Sequence, residues 1–366
     1  MSDRSVVENE TAMSPIEVRG EDQAHSRGSL RRVPVGTVLA VVAGLAAVYF
    51  VPYVVSGSML ALMLSAVIAA IAILGLNLLF GYCGQISIGH AAFLGIGAYV
   101  SAVLVIESGW SYPVAVPVSM LVAFAVGATV SIPALRLKGL YLALLTLAVG
   151  VTFPSVVRRL EGITQGDRGM FGVQWRAPSW TGLVGFEGQI IWMFWTAGAC
   201  LVLSCLVVHN IVSSRIGRSL VAIRDHEVAA ASAGVPIART KAMAFGTAGA
   251  FGALAGGLTA ASVGVITPSQ FGLLQSIELL VAVVVGGAAS IRGSLYGGAF
   301  YVFIPYYASE VASGELAQAV FAVSILIALF VAPRGVDGLA VDLLRRVRGR
   351  RRSRPGLPDI PSSGHH

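Results

Sequence analysis

The sequence predicts an all-α polytopic membrane protein, with about ten transmembrane helices (roughly eight to eleven) and both the N-terminus and the C-terminus cytoplasmic. Three observations carry this. Of the 366 residues, 56% are apolar and only 12% are charged, with a mean hydropathy of +0.80. That is about half the charge fraction of an ordinary soluble domain. Between Val33 and Leu135, 103 residues carry one formal charge, Glu107. Lipid can surround so long an apolar stretch, whereas a soluble core of ordinary size cannot bury it. Finally, the basic residues sort by side. With the N-terminus inside, 21 of the 25 Lys and Arg fall on the cytoplasmic side. The other four, Arg158, Arg159, Arg168 and Arg176, share one long external loop, where the positive-inside rule is weak.

The elements follow in order. Residues 1–32 are polar, with four Glu and two Asp among the first 22, and read as a disordered cytoplasmic tail rather than a signal peptide. Residues 33–334 form the transmembrane domain. Its apolar runs are 35–55, 59–80, 91–106, 113–133, 139–157, 190–212, 243–264, 275–291, 295–312 and 315–332. The external loop 158–189 holds glycines at 166, 169 and 172 with Trp175, Trp180 and Phe186, and reads as a turn-rich cap with interfacial aromatics. Residues 335–366 form a basic cytoplasmic tail with seven Arg between 345 and 354. Directly after a span, such a run reads as an orientation signal at anionic lipid, not as a nucleic-acid site. Cys83, Cys200 and Cys205 all lie in apolar segments and read as packing residues.

Several chemistries are excluded by what is missing. No phosphate-binding G-x-x-x-x-G-K-[ST] is present, and the two lysines, Lys138 and Lys241, follow no such loop. No H-E-x-x-H, G-x-S-x-G or His/Cys cluster at metal spacing occurs, so neither a metal nor another cofactor is expected. Within the spans, His90 lies in the glycine-rich stretch Gly81–Tyr99. Its glycines suggest a broken or re-entrant helix lining a polar path with Gln85, Ser87, Gly89 and His90; close helix packing is the competing reading. Glu278, near the outer end of its span, reads either as snorkelling outward or as pairing near Arg292 across a helix, with structural pairing preferred to substrate contact. The runs Gly246–Gly257 and Gly286–Gly298 read as tight helix packing.

Between two apolar runs stands a charged island, loop 213–242, with Arg215, Arg218, Arg224, Asp225, Glu227, Arg239 and Lys241. Leu220, Ile223, Glu227, Ala230, Ala231 and Gly234 recur at helical spacing, and Gly234 with Pro236 marks a stop. A short helix with one small-residue face is expected to enter a groove on a soluble partner.

These stretches resemble the LivM-type permease subunits of branched-chain amino acid ABC importers. The likeness rests on 75–99 (GLNLLFGYCGQISIGHAAFLGIGAY), 136–150 (RLKGLYLALLTLAVG), the island and 283–300 (VVVGGAASIRGSLYGGAF), in family order. The resemblance implies a second, LivH-like permease subunit, two cytoplasmic ABC ATPases, an external substrate-binding protein and a prokaryotic inner membrane. It implies no enzyme activity, because ATP is hydrolysed by the partners. It also makes the island a relative of the E-A-A-x-x-x-G loop that docks on the ATPase, with Arg224, Asp225, Glu227, Ala230, Gly234 and Pro236 as coupling residues. The chain departs from the pattern twice. Glu227 stands seven residues before Gly234, one more than in the generic motif, and Gln165 replaces a glycine of the family's external T-G-G-x-x-G-L. Relatives moving urea or short amides keep the substrate class broad. The competing class is an ion-coupled secondary transporter using Glu278, Glu310 and Glu315; a membrane enzyme has no catalytic constellation behind it.

Overall fold

The computed structural model describes residues 35–135, 137, 139–311, 314–331 and 335–349. The acidic tail, the basic pair Arg136 and Lys138 and the arginines from 350 onward lie outside them. The chain divides into a small N-terminal unit, Met1–Ala40, and a body, Val41–His366.

A helix stands at each of the ten apolar runs. These are α1 (Val35–Val54), α2 (Gly57–Asn77), α3 (His90–Ile106), α4 (Tyr112–Ala134), α5 (Leu140–Arg159), α7 (Gly185–Ser213), α9 (Ile237–Val263), α10 (Leu273–Gly286), α11 (Ile291–Val311) and α12 (Glu315–Val331). Among the described residues, five segments are long and apolar enough to cross a membrane: Gly57–Tyr82, Tyr112–Ala134, Tyr141–Arg159, Gly185–Ser213 and Ile237–Val263. Three shorter apolar helices, Val38–Val54, His90–Ile106 and Leu273–Gly286, accompany them. Three more helices lie between or after the spans: the single turn α6 (Glu161–Thr164), α8 (Arg215–Ser232) and α13 (Gly335–Gly349).

α9 is the packing centre, set against α2, α3 and α4. Its sequence explains this. A methyl group added at Gly256 would overlap the Leu94 carbonyl of α3, and one at Gly249 would come within 2.7 Å of the Ala123 carbonyl of α4. From the other side, Gly97 abuts Ala253 and Gly127 lies against the Phe245 carbonyl, so backbones touch where side chains would otherwise keep them apart. The helix ends at Gly264, whose φ of 76° is the left-handed stop that glycine adopts without strain.

Past that stop, Val265 and Ile266 form a short strand, β2, paired antiparallel with β1 (Met170–Phe171) of the long loop. The 3₁₀ turn Pro268–Phe271 follows, closed by a capping box between Thr267 and Gln270. Two of the loop's aromatics, Trp175 and Trp180, join a cluster, while Phe186 is exposed. Trp175 stacks on Tyr112 and meets Trp192 edge-on, and Trp192 also meets Trp180.

α13 was not anticipated. Residues 335 onward were read as a basic tail, yet Gly335–Gly349 is a helix docked on the corner between α10 and α11. Asp337 accepts a 2.7 Å hydrogen bond from the Ser290 hydroxyl, and Gly335 packs directly on Gly287. The arginines dominate the composition of this stretch. In the sequence, Val336, Leu339, Ala340, Leu343 and Leu344 nevertheless keep a helical period.

Candidate functional site

The site is built where the second span breaks. α2 ends at Asn77, continues as one π turn, Leu78–Tyr82, and then unwinds from Cys83 to Gly89. A wide turn followed by Gly84, at φ 71°, leaves backbone groups without helical partners. The amides of Gly84 and Gln85 turn back to the Phe80 and Leu79 carbonyls, and three further groups are met by side chains from elsewhere. The amide of Ile88 donates to the Thr146 hydroxyl at 3.0 Å, and the amide of Ala91 to the Ser276 hydroxyl at 3.0 Å. The Gly81 carbonyl accepts from Arg224 Nη1 at 3.0 Å. A cation at the carbonyl end of a helix also meets the negative end of its dipole.

Arg224 belongs to α8, the charged island. Ser214 caps its start, its hydroxyl accepting from the Ile216 amide at 3.1 Å. The helix is jointed: His226, at φ −153° and ψ 96°, is out of the helical region, so two arms meet there. Each arm is fixed separately. Arg224 holds the first to the break in α2 and also donates through Nε to Asp225 at 3.0 Å. Glu227 holds the second to α9 through Lys241, 2.9 Å away, whose side chain is 0% exposed.

The inward face corrects the sequence reading. Leu220, Ile223 and Ala230 were expected to enter a partner's groove, but they are buried against this chain's own helices. The reason is amphipathic: they are the apolar residues of a polar helix, and the nearest apolar surface is α9 and the π turn. The outward face instead shows Val228, 72% exposed, with Ala229, Ala231, Ser232 and Gly234. Gly234 has a φ of 81° and open space where a side chain would stand, so it is a conformational stop beside the exposed Pro236.

The structure brings Gln85 together with Arg224, Asp225 and Glu227 around one open cleft of about 610 Å³, with Gly84, Gly139 and Val228 also lining it. It does not bring Ser87, Gly89 or His90 there; all three are buried. His90 lies between α2 and α9, its Nε2 3.2 Å from the Ala72 carbonyl and its ring against Phe93. A methyl group on Gly89 would overlap the Thr146 carbonyl. These glycines serve close packing.

One clamp escaped the sequence reading. Asn77, buried, donates through Nδ2 to the Ser290 carbonyl at 2.8 Å and to the Ser294 hydroxyl at 3.1 Å, while its Oδ1 accepts from the Ala289 amide at 2.9 Å. Ala289 sits at φ 58°, held there by this bond. The only signal was an Asn inside a run of apolar residues. Glu278 was expected to pair near Arg292, but it has no ion-pair partner among the described residues. Nor does any group of three His, Cys, Asp or Glu that could hold a metal occur among them.

Residues 58–329 match the family model described as "Branched-chain amino acid transport system / permease component". The chain belongs to this family. Among curated relatives, this permease-family chain is 32% identical over 236 residues to the high-affinity branched-chain amino acid transport system permease protein LivM of Escherichia coli K12. That alignment covers 59% of this chain and 56% of the relative. With LivM of Salmonella typhimurium the identity is 31% over 258 residues, covering 65% and 61%. The permease protein LivH of Escherichia coli K12 is 26% identical over 285 residues, covering 74% of this chain and 91% of that one. The chain thus spans about 56–61% of the length of the LivM proteins it matches. No solved structure matches it.

Proposed function

We propose that this chain is a permease subunit of an ABC importer for branched-chain amino acids or related small amino acids and amides. It forms part of the translocation pathway in a prokaryotic inner membrane, spanning about ten times with both ends cytoplasmic. It works beside a second, LivH-like permease subunit, two cytoplasmic ATPases and an external binding protein. The family membership supports the transport class, and one observation carries the coupling role. α8 is jointed at His226 and tied by one arm to the break in α2 and by the other to α9, while Val228 and Ala229 face outward. A helix so anchored transmits a push on its outer face directly to two spans. The chain has no nucleotide loop of its own, so energy enters by contact.

Gln85, with the exposed Ile86 beside it, lines the cytoplasmic end of the path; Ser87, Gly89 and His90 support that wall from behind. The coupling test is Ala231→Asp, which puts a charge on the exposed face of α8 outside the cleft that Gln85 and Val228 line. In membranes holding the complete importer, the variant should insert normally while co-purified ATPase and amino acid uptake fall together. Uptake at the wild-type level with full ATPase retention would sink the coupling role. Uptake by the isolated subunit under an ion gradient would favour the secondary-transporter class.

A further inference from the structure

At the opposite end of α9 from Lys241, a second cleft of about 340 Å³ opens between the end of α9, the 3₁₀ turn and the start of α10. Glu278, Gln275 and Tyr301 are among its polar lining residues. Glu278 is half-buried without a cation among the described residues. Gln275, one turn earlier on the same face of α10, has its Oε1 buried and without a hydrogen-bond partner. Tyr301 of α11 neighbours both. Gln275's amide hydrogen-bonds Tyr301 yet leaves its Oε1 buried and unpartnered, and beside it the Glu278 carboxylate has no ion pair among the described residues. Both are acceptors, so what completes them is a donor, and the net charge favours a positive one.

The walls narrow the class further. Val263 and Leu274 stand at the rim, 60% and 70% exposed, and Phe271 is buried in the floor. One carboxylate is too few anionic ligands for a divalent metal, which takes several oxygen ligands and usually more than one carboxylate. A primary ammonium needs only two or three acceptors in reach of its hydrogens.

We propose that this cleft receives the ammonium group of an aliphatic amino acid, with Glu278 as its counter-charge and Gln275 Oε1 as second acceptor. The aliphatic chain lies against Leu274 and Val263. This rests on the importer reading above and adds a place on the path where the transported molecule is held by its amino end.

The test uses the complete importer in proteoliposomes, with Cys83, Cys200 and Cys205 replaced by Ala and Ser269→Cys introduced, an exposed position lining the cleft outside the proposed contacts. Cationic and anionic methanethiosulfonates of similar size then probe the cleft. The cationic reagent should react about tenfold faster, and Glu278→Gln should bring the two rates together. Millimolar leucine should slow the cationic reaction, while its deaminated 2-keto acid should not. In the importer with its native cysteines, Glu278→Gln should lower leucine uptake about tenfold with ATPase retention unchanged, and Glu278→Asp should keep part of it. Equal reagent rates in the parent, protection by the keto acid or by sodium alone, or full uptake in Glu278→Gln would each overturn the proposal. Should the parent assembly import no amino acid, the importer reading fails by itself. The reagent ratio would still report whether the cleft is a cation site.

Discussion

Lys241 is an ammonium with no access to water, and Glu227 is what makes that tolerable. Removing one partner of such a pair strands the other charge, which costs far more than the pair is worth. Glu227→Gln should therefore destabilise the subunit by about 2 kcal/mol or more, somewhat less than for a fully buried pair because Glu227 keeps part of its exposure. Fluorescence-detected melting in detergent should show the loss. The double variant Glu227→Gln with Lys241→Met should recover most of it. A double variant no better than the single would mean the ion pair is not what holds α8 to α9. The sequence placed both residues in the charged island and assigned Glu227 to a partner protein. Nothing in a linear chain says that an acid will be answered fourteen positions later by a lysine already inside the next span. His90 was misread for a similar reason: glycines beside a histidine describe a polar path and a tight seam equally well, and only the neighbouring Ala72 carbonyl and Gly252 decide between them.

At the scale of elements, the break after α2 is held from both sides, by Arg224 at Gly81 and by Asn77 at the α10–α11 corner. Asn77→Leu keeps the volume and removes the bonds, leaving the Ala289 amide without its acceptor. The expected cost is about 1–3 kcal/mol. Hydrogen exchange should show it as faster exchange at 287–294 and in the first turn of α13, with the α3–α4–α9 packing unaffected. Uniform protection in the variant would show the clamp to be dispensable. Helix existence was legible because apolar runs of span length have few other fates; each of the ten runs became a helix. The π turn and the joint at His226 were not legible. Both depend on side chains from other helices meeting the freed backbone, and hydropathy does not record that. α13 was missed because charge content was weighed above period.

For the whole molecule, the charge partition predicts which surfaces meet which compartment. A cysteine at Ser179, exposed in the long loop, should react with an impermeant maleimide added to intact cells, and one at Ser232, exposed at the end of α8, should react only after lysis. Both belong in a background without the three native cysteines. The reverse pattern would invert the orientation and with it the place of the coupling helix. α9 has a consequence at this scale. It runs 27 residues without a proline, about 40 Å of continuous rod. One end leads directly into the strand that is laddered to the long loop; the other holds the ion pair to α8. A rod fastened at both ends and gripped at its middle behaves as a rocker. On the proposed topology, a displacement of the loop would reach α8 through α9 alone, linking the two faces of the membrane with no intermediate messenger.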